Sequence, residues 1–496
     1  MLFRRVVSTG LTLAGRPQLL TYPDSLGGSL RAIRKLLRGP LNGAFSGVHI
    51  LPPFPSSGDR GFAPLTYREI DPTFGSWTDI SQLAEDHDVV VDLMINHISR
   101  QSVEFNDFER HGRRSQYADL FLTLDKIWPS GVPPAKDVAR IFLRKPHDPF
   151  TTITVTDTGG KETVWTTFGT EQWSEQIDTD VNSKAGRGLI SESLRFFASR
   201  GVKIVRLDAV GYVIKKAGTS CFMVEPEIYE FLDWVVSVAS SHGLIVLPEV
   251  HDDYRTHEKL AARGYWSYDF VLPALVLHSL ETRSALELGA HLSQSTQRQF
   301  TTLDCHDGIP IQPDLQGILK PAEMLRLVEL VEQQGGNVNR ILSDSHSNRV
   351  DAHQLNCTYF AVLGCDDERY VAARAIQLFA PGVPQIYYVG LLAGDNDYDA
   401  IRRQDDGRAI NRHDFTDEEI DQALKRPVVQ RILRLIRLRH SHPAFEGALN
   451  VESHTATSLQ FHWKRDANTC DLEVDLDSGL CVVTARDGKS WDRFIA

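Results

Sequence analysis

The chain has 496 residues, 42% of them hydrophobic, and a formal net charge of −12, enough to bury one large core with smaller satellite domains. That acidity argues against nucleic acid or an anionic membrane as the main partner, since both select a basic face, so any anion site has to be local. The six cysteines stand singly without CxxC or Cys/His spacing, which predicts free, mostly buried thiols in a reducing, cytoplasmic setting and no metal site.

In chain order, "MLFRRVVSTGLTLAG" comes first, and residues 1–16 are expected to form an N-terminal extension. A targeting peptide is the alternative, but Ser8, Thr9 and Gly10 break its apolar part. Strand-like segments then recur as "QLLTYPDSL", "GVHILPPF", "VVVDLMINH", "VKIVRLDAV", "LIVLPEVH", "SYDFVLP", "QFTTLDCHDG" and "VPQIYYVG". Helical periodicity fills several gaps, as in "EPEIYEFLDWVVSVASSHG" and "AEMLRLVELVEQQGG". Eight strands alternating with helices predict an α/β fold, a (β/α)8 TIM barrel. No run reaches the roughly eighteen apolar residues of a membrane span.

The spacing is uneven in two places. About a hundred residues separate "MINH" from "VKIVRLDAV", and long helices with the polar loop "SDSHSNRVDAHQ" separate "LDCHDG" from "VPQIYYVG". These gaps predict barrel segments at 17–97, 186–307 and 371–445, with inserted domains at 98–185 and 308–370. Insertions after barrel strands build the walls of the active-site face. From 446 to 496 alternating segments such as "LQFHWKRD" and "CDLEVDLD" predict a small antiparallel β domain.

Polar groups close four of the strand-like segments. Asn96 and His97 close the third, Arg206 and Asp208 the fourth, Glu249 and His251 the fifth, and His306 and Asp307 the seventh. A single His or Asp at a strand end is more often a satisfied cap than a catalyst. Four such ends at one barrel mouth are expected to share a task. Three carboxyls there suit retaining glycosyl transfer, which needs an ionised nucleophile and a protonated acid about 5 to 5.5 Å apart. Asp208 beside Arg206 suits the nucleophile, because a neighbouring cation lowers a carboxyl pKa. Glu249, in the apolar "LIVLPEV", suits the acid/base. Asp307 is then expected to support the cationic transition state, with His97, Arg206 and His306 around the hydroxyls.

At "DLMINH", "VRLDAV", "LPEVH" and "LDCHDG" the sequence resembles the α-amylase clan of glycoside hydrolases. Within it, "GVHILPPFPSSGDRGFAP", "AGTSCFMVEPEIYEFLDW", "PGVPQIYYVGLLAG" and "INRHDF" resemble the sucrose phosphorylase group over nearly the whole chain. The resemblance implies Asp208 as nucleophile, Glu249 as acid/base and Asp307 as transition-state stabiliser. It further implies Asp59 and Arg412 as a clamp on the far hydroxyls of a glucosyl unit, Phe62 and Phe168 as its apolar wall, Tyr212 in the same substrate set, and Gln172 on the acceptor side. No cofactor is implied. The resemblance implies inorganic phosphate as the second substrate, expected to attack a covalent glucosyl enzyme and give α-glucose 1-phosphate.

Two loops are expected to shape the acceptor pocket. The group's second loop typically reads Asp-Leu-Tyr-Gln or Asp-Ile-Tyr-Gln; here it is Asp351, Ala352, His353, Gln354. The first, "IFLRKPHDPF", carries Arg144 and Lys145. These departures resemble the subgroup acting on sucrose 6-phosphate, in which an arginine and a histidine grip the phosphoryl group of fructose 6-phosphate, as a guanidinium fork is built to do. Sucrose, glucosylglycerol and glucosylglycerate phosphorylases stay open as alternatives, and a non-catalytic barrel subunit is a remote one because such relatives lack the carboxyls. A homodimer also stays open.

Overall fold

The computed structural model describes residues 13–143, 149–168, 175–340, 352–404, 406–453, 455–488 and 490–496. Eight barrel strands run in chain order: β1 (Gln18–Thr21), β2 (Gly47–Ile50), β3 (Asp88–Met94), β4 (Val202–Asp208), β5 (Ile245–Pro248), β6 (Ser267–Asp269), β7 (Gln299–Thr301) and β8 (Val383–Tyr387). They belong to one sheet in the order β6–β7–β8–β1–β2–β3–β4–β5, the cyclic sequence of a (β/α)8 barrel. The chain divides into two compact units, one spanning Ile50–Val250, the other formed by 13–49, 251–340 and 352–496. The division cuts across the segments expected from sequence.

In the first unit β4 is nearly all buried because parallel strands are covered on both faces. Its register sets Asp92 opposite Arg206 and Met94 opposite Asp208, and Arg206 opposite Leu247 on β5. Helix α1 (Lys184–Ser199) starts on Ser183, whose side chain accepts from Gly186 N, a capping contact worth about 1 kcal/mol. Helix α2 (Glu227–Ser241) buries Ile228, Phe231, Leu232, Val235 and Ala239, the helical repeat that faces a sheet. The first insertion has a hairpin, Phe150–Thr154 with Lys161–Trp165, over a core of Phe105, Phe108, Phe121 and Ile177.

In the second unit β6 pairs with β7, β7 with β8, and β8 with β1, all parallel. Between β7 and β8 lie a helix, Pro321–Gln333, and a three-stranded antiparallel sheet of Ile309–Pro310, Ala352–Asn356 and Asn337–Arg340. The C-terminal strands β9 (Ala448–Glu452), β10 (Ser458–Arg465), β11 (Asn468–Asp475), β12 (Cys481–Asp487) and β13 (Ser490–Ile495) form a five-stranded antiparallel sheet. Leu459, Phe461 and Trp463 alternate inward against Cys470, Leu472 and Val474, the period of a half-buried sheet.

Three local expectations need correction. His97 does not close β3; it opens a separate strand, His97–Ser99, paired antiparallel with Gln176–Asp178 of the insertion. Asp307 is not a strand-end residue, since β7 stops at Thr301. Ala352, His353 and Gln354 are not in a loop but in the strand Ala352–Asn356, whose two edges are both hydrogen-bonded. For His97 and for residues 352–354, antiparallel pairing supplies backbone partners that barrel periodicity does not announce, while Asp307 lies in the turn before Ile309–Pro310. None of the six cysteines is bridged. No helix among the described residues is long and apolar enough to cross a membrane.

Candidate active site

In the first unit one guanidinium organises the carboxyls. Arg206 Nη1 donates to Asp208 Oδ1 at 3.1 Å and pairs with Asp92, and its Nη2 lies 2.7 Å from Glu249 Oε1. Register explains this. Asp92 and Arg206 are sheet partners, Asp208 is one pleat further on the same face, and Glu249 N donates to Leu207 O at 3.0 Å. The chain turns after Asp208 through Ala209, which sits in the left-handed region at φ 52°, an uncommon state for a residue with a Cβ. Ala209 N then donates to Glu249 Oε2 at 3.1 Å. Asp208 and Glu249 are both 9% exposed, so each keeps a narrow opening. The expected division, with a cation beside Asp208 and an apolar setting for Glu249, is not what this site contains: Arg206 touches both. One positive charge faces three carboxyls.

An aromatic wall lies in the same unit. Arg206 sits over the Phe62 ring at 5.9 Å, and Phe168 meets His97 and Tyr212 edge-on at 5.4 and 5.1 Å. His97 Nε2 donates to Phe62 O at 3.0 Å, and Asn96 Nδ2 is 3.5 Å from Nδ1. Burial lowers the His97 pKa, against the pull of Asp178, so the ring is neutral with its proton on Nε2. Both nitrogens hold protein partners here, and His97 supports Phe62. Gly61 follows Asp59 and Arg60, all at positive φ, and a Cβ on it would stand 2.4 Å from Pro52 O. Glycine is therefore required for the turn that carries Asp59 and Phe62.

Several contributors were missed from sequence. Asp92 is fully buried inside "VVVDLMINH", and a charge within an apolar strand was the signal that could have found it. Tyr67 donates to Met94 O at 2.9 Å; burial, with the charge of Asp208 next, raises its pKa well above the ordinary phenol value. Lys215 is buried with its ammonium 2.9 Å from Asp178 Oδ2 and 3.1 Å from Asn96 Oδ1, and Asp178 in turn accepts from Thr167 N at 3.0 Å. That chain of contacts holds the backbone next to Phe168.

The second unit carries Asp307. His306 Nε2 is 3.1 Å from Asp307 Oδ2, while Arg408 Nη1 and Arg412 Nη2 approach Oδ1 at 3.4 and 3.8 Å. Arg412 is pinned by Nε donating to His306 O at 2.8 Å and lies over Tyr22 at 5.9 Å. Arg408 was missed. It sits in the 3-10 turn Gly407–Asn411, and its own N–H donates to the side chain of Asp406. On the inserted strand, His353 Nδ1 is 2.7 Å from Gln312 O, and Ala352 and Gln354 are buried beside it. Arg144, Lys145, Gln172 and Asp351 lie outside the described residues. Among those described, Cys305, His306 and Asp307 have donor atoms within 4.8 Å of one another. Two guanidiniums on Asp307 oppose a metal cation there.

The comparisons with known proteins agree with this architecture. Residues 43–269 match the family described as alpha amylase, catalytic domain. A sucrose 6(F)-phosphate phosphorylase of Thermoanaerobacterium thermosaccharolyticum is 50% identical over 468 residues, covering 94% of this chain and 96% of that protein. A glucosylglycerol phosphorylase of Marinobacter adhaerens and a sucrose phosphorylase of Streptococcus mutans are each 41% identical, covering 96% of this chain and 98% and 99% of theirs. The crystal structure of sucrose 6F-phosphate phosphorylase from Thermoanaerobacter thermosaccharolyticum superposes with a TM-score of 0.96 at 48% identity, covering 99% of this chain and 100% of that one.

Proposed function

The chain belongs to the alpha-amylase family, among its sucrose, sucrose 6(F)-phosphate and glucosylglycerol phosphorylases, and from that premise we propose that it catalyses the reversible, retaining phosphorolysis of sucrose 6-phosphate. The products are α-glucose 1-phosphate and fructose 6-phosphate. The single observation that carries the chemistry is Arg206, whose one guanidinium holds Asp208 and Glu249 together. That proximity suits the separation of about 5 to 5.5 Å that double displacement needs. The named substrate of the relative at 50% identity, together with His353 in place of the group's tyrosine, supports the phosphorylated donor over sucrose or glucosylglycerol.

In this reading Asp208 attacks the anomeric carbon as the glycosidic bond breaks. Glu249 gives its proton to the departing O2 of fructose 6-phosphate. Three carboxyls around one cation supply the electrostatic reason for a proton to stay in the cluster. Asp307, steadied by His306, Arg408 and Arg412, offsets the positive charge that grows on the ring. Phosphate then attacks the glucosyl ester from the face the leaving group vacated, Glu249 takes its proton, and two inversions leave the α configuration. Phe62, Phe168 and Tyr212 wall the glucosyl unit, with Asp59 and Arg412 on its far hydroxyls. The residues proposed for the acceptor, a sugar phosphate or inorganic phosphate, are Arg144, Lys145, Gln172, Asp351, Ala352, His353 and Gln354, on the resemblance of their segments to the group's two acceptor loops.

The test is a panel at fixed, saturating phosphate that compares release of glucose 1-phosphate from sucrose 6-phosphate, sucrose, glucosylglycerol and glucosylglycerate. Sucrose 6-phosphate is expected to have the highest kcat/KM. A higher value for any of the other three overturns the substrate assignment.

A further inference from the structure

A buried carboxylate outside every motif read from sequence contacts His251, whose ring meets that of His353. Asp314 has no exposed side-chain surface, and its Oδ2 lies 3.4 Å from His251 Nδ1. His257, on the helix Tyr254–Ala262, approaches Oδ1 at 3.9 Å. Asp252 adds a nearby like charge. Burial alone would favour a neutral Asp314, but His251 and then His257 outweigh it and hold the pKa below the usual carboxyl range. A buried carboxylate kept ionised needs a compensating cation, and the groups that lower it are these imidazoles.

The geometry also fixes protons. A carboxylate can only accept, so His251 carries a proton on Nδ1; the Gln312 carbonyl can only accept, so His353 does too. The His251 ring lies flat on Phe270 at 4.0 Å and meets His353 at 5.9 Å, nearly edge-on at 77°. A neutral imidazole protonated on Nδ1 presents a lone pair at Nε2, which repels an anion. Only the imidazolium presents a donor there. A bare phenylalanine stack would orient the ring without setting its charge.

We propose that Asp314 is a positioning residue for phosphate-ester recognition: it holds His251 with a proton on Nδ1 and balances its charge, so that His251 Nε2–H donates to the phosphoryl group beside His353. This rests on the reading above, in which the acceptor is a sugar phosphate. His251 follows the acid/base Glu249 by two positions in the chain, so the contact would also tie donor specificity to the segment that carries the proton.

Asp314→Asn keeps the shape and an accepting carbonyl while removing the charge. The ratio of kcat/KM for sucrose 6-phosphate to that for sucrose is expected to fall about tenfold or more, carried by KM for sucrose 6-phosphate rather than by kcat. His251→Gln should lower the ratio by a similar factor, and the double variant should lose little beyond either single one. A proportionate fall for both substrates, or an unchanged ratio, overturns the inference. If Asp314→Asn does not fold, the His251→Gln ratio and a long-range 1H–15N spectrum of the wild-type histidines decide it. The spectrum should show His251 protonated at both Nδ1 and Nε2; a proton at Nε2 alone overturns the dyad, and a proton at Nδ1 alone overturns the donor role. A wild-type enzyme inactive on sucrose 6-phosphate defeats the substrate reading and the recognition role with it, while the spectrum still decides the Asp314–His251 pairing.

Discussion

The polar groups of the two units are built by different means. In the Ile50–Val250 unit, Asp92, Arg206, Asp208 and Glu249 occupy register positions on adjacent parallel strands or one residue past their ends, and backbone hydrogen bonds fix where they stand. In the other unit, Asp307, Arg408, Arg412, Asp314 and His353 come from loops, a 3-10 turn and an inserted antiparallel sheet, and side-chain contacts between segments far apart in the chain, two of them to backbone carbonyls, hold the groups in place. A ladder is set by the whole sheet and tolerates local change. A side-chain cluster is set by a few contacts and can be retuned for a new acceptor one residue at a time.

The largest effect should come from the ladder's end. Asp208→Asn is expected to lower transfer by about a thousandfold or more, since the covalent intermediate cannot form; glucose 1-phosphate release near the wild-type rate would rule Asp208 out as nucleophile. The stability contrast is sharper still as a comparison. Arg206→Met leaves three carboxyls without their buried cation and should cost about 3 to 5 kcal/mol of unfolding free energy, read from denaturant midpoints. Arg408→Met, at a site whose side chain is 26% exposed, should cost less than about 1 kcal/mol. Equal losses would erase the distinction between the two kinds of construction. For acceptor choice, Arg144→Ala and His353→Tyr should each lower the sucrose 6-phosphate to sucrose ratio of kcat/KM by about ten- to a hundredfold at saturating phosphate. An unchanged ratio in both variants would move plain sucrose or glucosylglycerol ahead.

The smallest predicted effect depends on pH. In the second unit His291 Nε2 lies 2.9 Å from Asp269 Oδ2. Burial opposes both charges, but each partner outweighs it, raising the His291 pKa and lowering that of Asp269. The histidine's contribution is complete below its unfolded pKa of about 6.5 and is lost as pH rises through its higher folded value; the aspartate's is complete above about 3.9 and is lost on acidification. His291→Gln should therefore destabilise the protein more at pH 5.5 than at pH 8.5. A cost that is the same at both would show that the pair is not ionised.

The barrel and its β-rich C-terminal domain were legible because strand period is a local signal, and Asp208 and Glu249 stand at or one residue past the strand ends where the sequence puts them, whereas Asp307 lies six residues beyond β7. "VRLDAVGY" announced its charges. "VVVDLMINH" carries the same kind of signal in Asp92, a charge inside an apolar strand. Arg408, Lys215 and Asp314 were not legible: each sits in a segment whose sequence looks like an ordinary turn or loop, and its role exists only through partners tens of residues away. The strand Ala352–Asn356 was hidden for a related reason, since its hydrogen-bond partners at Ile309–Pro310 and Asn337–Arg340 are too short or too polar to read as strands themselves.

The most direct test of the central claim, a covalent glucosyl enzyme on Asp208 beside an acid at Glu249, is a trapping experiment. Glu249→Gln, mixed with α-glucosyl fluoride, whose leaving group needs no proton, should accumulate an adduct one hexosyl unit heavier by intact mass. Peptide mapping should place that unit on Asp208, and added phosphate should discharge it as α-glucose 1-phosphate. A hexosyl group found on another residue, or discharge as the β anomer, would contradict the account.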